Sequence, residues 1–63
     1  MEPLVHITVD LQPAQALALA QFLKRVGLDD YCRLAVDVDE AWAMLDAGER
    51  LRTALVTAGY APR

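Results

Sequence analysis

The chain is poor in the residues that usually hold a small protein together. Its 63 residues include a single cysteine, Cys32, and a single histidine, His6. One cysteine excludes an intramolecular disulfide, and the two residues together give no zinc-type ligand set. Chains of this length bury a small core and commonly depend on disulfides, a metal or a partner subunit. We therefore expect oligomerisation to supply the missing stability, and we expect no cofactor.

Long hydrophobic runs are also missing. Hydrophobic residues make up 56% of the chain, which argues against disorder, but apolar stretches such as Ala16–Ala20 are far shorter than a membrane-spanning helix. An acidic residue, Glu2, lies near the start of the chain, and no basic segment followed by an apolar run is present there, so we expect no signal peptide. These features predict one domain over residues 1–63 in the cytoplasm, where an unpaired cysteine stays reduced.

Positive charge is scarce, with six Lys and Arg residues against nine Asp and Glu residues. With so few basic residues, the chain does not show the basic stripe that is typical of nucleic-acid-binding domains. Seven of the nine acids lie between Asp29 and Glu49. We interpret this span as a surface that binds a basic partner protein, formed by Asp29, Asp30, Asp37, Asp39, Glu40 and Asp46. Two alternatives stay open, because acids also cap helices and keep an apolar protein in solution.

The stretch from Leu4 to Leu11 alternates in hydrophobicity. Val5, Ile7 and Val9 fall on one side, and the polar residues between them fall on the other. This period of two with β-branched residues predicts a β-strand.

Helical periodicity begins at Pro13, a residue favoured in the first helical turn. The pattern predicts a helix over 13–26 with Gly27 as a left-handed stop. The residues that share its apolar face are Ala16, Leu19, Ala20, Leu23 and Val26. A short helix over 30–35, capped by Asp29, and a long helix from Val38 to about Ala58, ended by Gly59, follow.

The predicted strand finds no partner in its own chain, and one strand alone is unstable in water. We therefore expect two copies to pair their strands across a two-fold axis. The predicted fold is α+β in the order β-α-α-α, with a homodimer interface formed by Val5, Ile7, Val9, Trp42 and Leu45. Trp42 has a second interpretation, in which it covers the core of one chain against the first helix.

The stretch "ITVDLQPAQALALAQFLKRVGLDDYCRLA", within residues 4–36, resembles the ribbon-helix-helix family in its order of strand, Pro-started helix, turn and second helix. The resemblance implies a dimer whose paired strands enter the DNA major groove. The base-reading positions would then be His6, Thr8 and Asp10. An aspartate at one of these positions, and the acidic turn at Asp29 and Asp30, depart from the basic or amide residues and the Ser/Thr-rich turn of that family.

The whole chain, including its ending "RTALVTAGYAPR", is similar to small uncharacterised bacterial proteins of phages and mobile elements. This resemblance implies a small non-enzymatic binding protein, such as an inhibitor of host defence of the anti-CRISPR type. The alternative is a DNA-binding repressor or antitoxin of the ribbon-helix-helix type. No nucleophile pattern surrounds His6, and the acid pairs stand where helix caps are needed, so we expect no catalysis and no metal.

Overall fold

The computed structural model describes residues 3–61 and contains three helices within that range. They are α1 (Pro13–Arg25), α2 (Leu28–Leu34) and α3 (Val38–Thr57). The longest helix, α3, contacts both α1 and α2. The result is a flat helical assembly with principal extents of 33, 28 and 15 Å.

The predicted α+β fold is wrong. Residues 4–11 form no strand, and within the described residues their backbone groups make no backbone–backbone hydrogen bond to one another or to a helix. A strand is defined by hydrogen bonds to a neighbouring strand, and the described part of this chain contains none. The β-α-α-α order, the paired strands and the ribbon-helix-helix topology are therefore replaced by an N-terminal segment without secondary structure, followed by three helices. We call residues 3–11 the N-terminal arm.

At the start of both α1 and α2, the side chain of the third helical residue accepts a hydrogen bond from the N–H of the residue just before the helix. At α1, the Gln12 N–H donates to Gln15 Oε1 at 2.9 Å, and Pro13 is the first helical residue as predicted. At α2, the Gly27 N–H donates to Asp30 Oδ2 at 2.9 Å. The predicted cap at Asp29 is therefore wrong, because Asp30 takes that role and the helix starts earlier. Gly27 has a φ of −117°, so the predicted left-handed stop there is wrong too.

The start of α3 confirms the predicted capping residue. Asp37 Oδ1 accepts a hydrogen bond from the Glu40 N–H at 2.8 Å. Glu40 Oε1 in turn accepts from the Val36 N–H at 3.1 Å. Two backbone donors that the helix cannot satisfy itself are thus paired, and the acids also suit the positive end of the helix dipole.

The end of α3 is a Schellman motif. The Tyr60 N–H donates to the Leu55 carbonyl at 2.8 Å, and the Gly59 N–H donates to the Val56 carbonyl at 3.0 Å. Gly59 has a φ of 99°, a left-handed conformation that glycine adopts without a Cβ penalty. The turn places the Tyr60 side chain against the buried cluster, which confirms glycine as the stop for this helix.

The core is small and consists largely of alanine. Ala16, Ala20 and Leu23 of α1 pack with Leu55 of α3, and Leu19 and Tyr60 flank this cluster. Ala41 is also buried completely. Alanine leaves little side chain between helices, so their backbones approach closely. No large side chain in the described residues is fully buried, which fits the expectation of a marginal core.

Candidate interaction surfaces

Large hydrophobic side chains are exposed over much of the described surface. Ile7 is 84% exposed, Val36 is 85% exposed and Trp42 is 49% exposed. Single exposed hydrophobic residues are ordinary, but contiguous apolar patches mark binding sites on soluble proteins. Two such surfaces can be traced from the helices and the arm.

The first surface is a groove of about 790 Å³ between the N-terminal arm, α1 and the C-terminal half of α3. We call it the arm groove. None of the described residues that line it carries a charge. The large side chains among them are Ile7, Val9, Leu11, Leu19, Leu51 and Tyr60.

The second surface lies on another side of α3 and centres on Trp42. Val38 and Leu45 are its neighbours four positions before and three positions after, a spacing that brings side chains together on a helix. Val38 is exposed and Leu45 is half-buried. We call Val38, Trp42 and Leu45 the Trp42 face; Val56 points to the same side of α3 but lies about 21 Å farther along the helix.

The predicted dimer interface is divided between these two surfaces. Ile7 and Val9 line the arm groove, and Val5 is an exposed residue of the same arm. Trp42 and Leu45 are not among the residues that line the groove. Trp42 and Leu51 are nine positions apart on α3, which is about two and a half turns, so they lie on opposite sides of the helix. Sequence periodicity identified both apolar regions but did not show that α3 separates them.

The six predicted acidic residues have different surroundings. Asp37, Glu40 and Asp30 accept the backbone hydrogen bonds that start α3 and α2, and Asp30 is also paired with Arg33. The capping alternative therefore holds for these three side chains. The other three, Asp29, Asp39 and Asp46, are exposed.

Two of those exposed acids flank the Trp42 face. Asp39 precedes Trp42 by three positions and Asp46 follows it by four, so helix geometry places both carboxylates beside the indole ring. An aromatic side chain framed by two negative charges is suited to a partner surface that is both apolar and basic.

The residues that the ribbon-helix-helix resemblance assigned to DNA are His6, Thr8 and Asp10. All three are exposed on the arm. They belong to no ribbon in the described chain, so the geometry that would present them to a major groove is missing there.

A second depression of about 470 Å³ lies between α1 and α2. Phe22, Arg25, Arg33 and Leu34 are among its lining residues, together with Asp30, the partner of Arg33. Its two arginines and its one acid give it a mixed character, which distinguishes it from the uncharged arm groove.

Other features of the described residues bear on metal binding, membranes and redox chemistry. Within residues 3–61, no three His, Cys, Asp or Glu side chains cluster in a way that would hold a metal ion. None of the helices in that range has the length and hydropathy needed to cross a membrane. Cys32 is exposed.

Comparison with known proteins places the chain in a family. Residues 1–63 match a family of unknown function, DUF7706. The chain belongs to this family. No curated protein and no solved structure matches it. The DUF7706 match covers the whole sequence, including the arm, α3 and the residues of both apolar surfaces. The resemblances to ribbon-helix-helix proteins and to phage proteins receive no support from these comparisons.

Proposed function

We propose that this protein is a small non-enzymatic binding protein that docks the Trp42 face onto a basic and apolar surface of another protein. The observation that carries the proposal is the position of Trp42, half-exposed on α3 and flanked by the exposed carboxylates of Asp39 and Asp46.

The residue types on this face support protein binding. Tryptophan is the side chain most enriched at the energetic centres of interfaces, because it removes a large apolar area from water at a small cost in side-chain entropy. Val38, one turn before Trp42, is 60% exposed, so the apolar area around the indole ring is larger than Trp42 alone provides. Carboxylates at the rim would attract a basic partner and speed the encounter.

The charge of the chain favours a basic protein over a nucleic acid. The net charge is −3, and the acids that flank Trp42 would repel phosphate groups. A nucleic-acid surface would need Lys and Arg at these positions. Inhibition of host defence and the absence of enzymatic activity stay predictions.

The experiment begins with a photo-reactive benzoylphenylalanine in place of Trp42, expressed in the native host. Proteins that become covalently attached are identified, and each is purified for binary titration. For the true partner, we expect Trp42→Ala to weaken binding at least about tenfold. We also expect Asp46→Lys to weaken binding, because attraction at the rim becomes repulsion. This loss should be larger at low ionic strength, where the repulsion is less screened.

Matched variants on other surfaces serve as controls. Phe22→Ala removes another half-exposed aromatic ring, on α1, and Asp10→Lys reverses another exposed acid, on the arm. Both should leave the dissociation constant within about twofold of the parent value. Equal losses in the control and test variants would contradict the proposal, as would a complete lack of protein adducts at position 42.

A further inference from the structure

The chain exposes more surface than a compact monomer of its size. It has an accessible area of 5329 Å². Monomeric proteins with its mass of 6.9 kDa expose about 4,000 Å². The excess is therefore about 1,300 Å². Exposed apolar side chains of the arm account for part of it, since Leu4, Val5 and Ile7 are each 79–84% exposed.

The size of this excess matches a particular kind of assembly. If each of two copies buried it, the interface would cover about 2,600 Å² in total, within the range of obligate homodimers. A small apolar ligand in the arm groove would cover much less, and it would leave most of the arm in water.

The distribution of charge indicates which surface two copies can share. Each copy carries a net charge of −3, so two copies repel one another wherever acids face acids. A two-fold axis brings the same surface of each chain together. A dimer through the Trp42 face would bring Asp39 and Asp46 of one copy close to the same acids of the other copy, whereas the arm groove is lined by uncharged residues.

From these observations we infer that a second copy of this chain covers the arm groove. The two copies form a symmetric dimer in which apolar residues of the arm and of α3, including Ile7, Val9 and Leu51, become buried. This inference concerns a different surface from the proposed function, and it leaves the Trp42 face of each copy free for its partner. Contacts made by the arm and by α3 hold this dimer together, and the arm does not need to form a sheet.

The first test is sedimentation equilibrium of the full chain at about 10 µM and about 100 µM, with Cys32→Ser to exclude intermolecular disulfides. We expect a mass twice the 6.9 kDa of the monomer at both concentrations. A monomer at the higher concentration would overturn the inference.

The second test locates the interface by photo-crosslinking. Benzoylphenylalanine in place of Leu51 should produce a covalent dimer, and the same residue in place of Trp42 should not. Leu51 and Trp42 are exposed to similar extents, at 40% and 49%, so the comparison is balanced. A covalent dimer formed from position 42, or from neither position, would place the contact elsewhere and overturn the inference.

A charged substitution on the arm completes the test without disturbing the helices. Ile7 is 84% exposed, so Ile7→Lys should not weaken packing within one chain. We expect it to raise the dimer dissociation constant more than tenfold. Asp10→Lys, on the same arm but outside the groove lining, should not. If Ile7→Lys unfolds at low concentration and regains helicity at high concentration, that result would also support the inference. An unchanged dimer dissociation constant would contradict it.

Discussion

The hydroxyl of Tyr31 lies so close to Gly48 that it would clash with the Cβ of any other residue at that position. A Cβ built on Gly48 would stand 2.5 Å from that oxygen and 3.6 Å from Cζ of the same ring. Glycine within a helix is unfavourable by about 0.5–1 kcal/mol relative to alanine. Its presence in the middle of α3 is explained by the close approach of α2, which the tyrosine ring bridges.

Gly48→Ala should therefore destabilise the protein, although alanine is the better helix former. We expect a net loss of about 1 kcal/mol or more in the free energy of unfolding, because overpacking outweighs the gain in helix propensity. Urea unfolding at one fixed protein concentration measures this change.

A second substitution identifies the atom that is responsible. Tyr31→Phe removes the hydroxyl and leaves Cζ at an ordinary contact distance of 3.6 Å. In the Tyr31→Phe background, Gly48→Ala should then cost little or stabilise α3, with a coupling energy of about 1 kcal/mol between the two sites. Additive effects of the two substitutions would contradict this explanation.

The glycines that flank the helices should respond differently to substitution. Gly59→Ala forces a side chain into a conformation with a φ of 99°, which costs about 1–2 kcal/mol. Gly27 has a φ of −117° and caps α2, and the nearest atom to an added Cβ is 3.9 Å away. Gly27→Ser should therefore be stabilising by a few tenths of a kcal/mol, since serine is a better cap. Thermal unfolding followed by circular dichroism compares the pair, and an equal loss from both substitutions would be inconsistent with these conformations.

Asp37 should stabilise α3 through the hydrogen bond that its side chain accepts, and not only through its negative charge. Asp37→Ala leaves the Glu40 N–H without the acceptor that now lies 2.8 Å away, and we expect a loss of about 1 kcal/mol. Asp37→Asn keeps an acceptor at the same position and should lose much less. As a control, Asp39→Asn removes a first-turn charge that makes no cap. A loss from Asp39→Asn as large as that from Asp37→Ala would assign the effect to the helix dipole.

The helices were predictable because each carries its signals locally. Pro13 begins α1, Asp37 with Glu40 begins α3, and Gly59 ends it, and each of these signals acts within one turn of chain. The buried positions of α1 follow from a period of 3.6 residues in the same way. At the start of α2, either Asp29 or Asp30 could accept the capping hydrogen bond according to the sequence. In the structure Asp30 accepts it, from the Gly27 N–H.

The arm could not be predicted from its pattern. Alternation between Val5 and Val9 is the same in a paired strand and in a segment that has no strand partner, because hydrogen bonding depends on a distant partner. The two apolar surfaces pose a similar problem. Periodicity shows that α3 is apolar on a wide arc, but the position of α1 and the arm decides which part becomes a groove. The contact between Gly48 and Tyr31 also depends on tertiary packing, although an isolated glycine in a helical pattern is a signal that could have suggested a close approach.

The N-terminal arm also has a consequence for the behaviour of the protein at high concentration. The run from Val5 to Val9 is β-branched and almost uncharged, which is the composition of segments that stack into amyloid fibrils. Pro3 precedes the run, and Asp10 and Pro13 follow it. Prolines cannot donate to a growing ladder, and stacked aspartates repel, so these residues act as gatekeepers against fibril growth. The residues that end the apolar pattern on both sides are thus also the ones expected to oppose the stacking of this segment between copies.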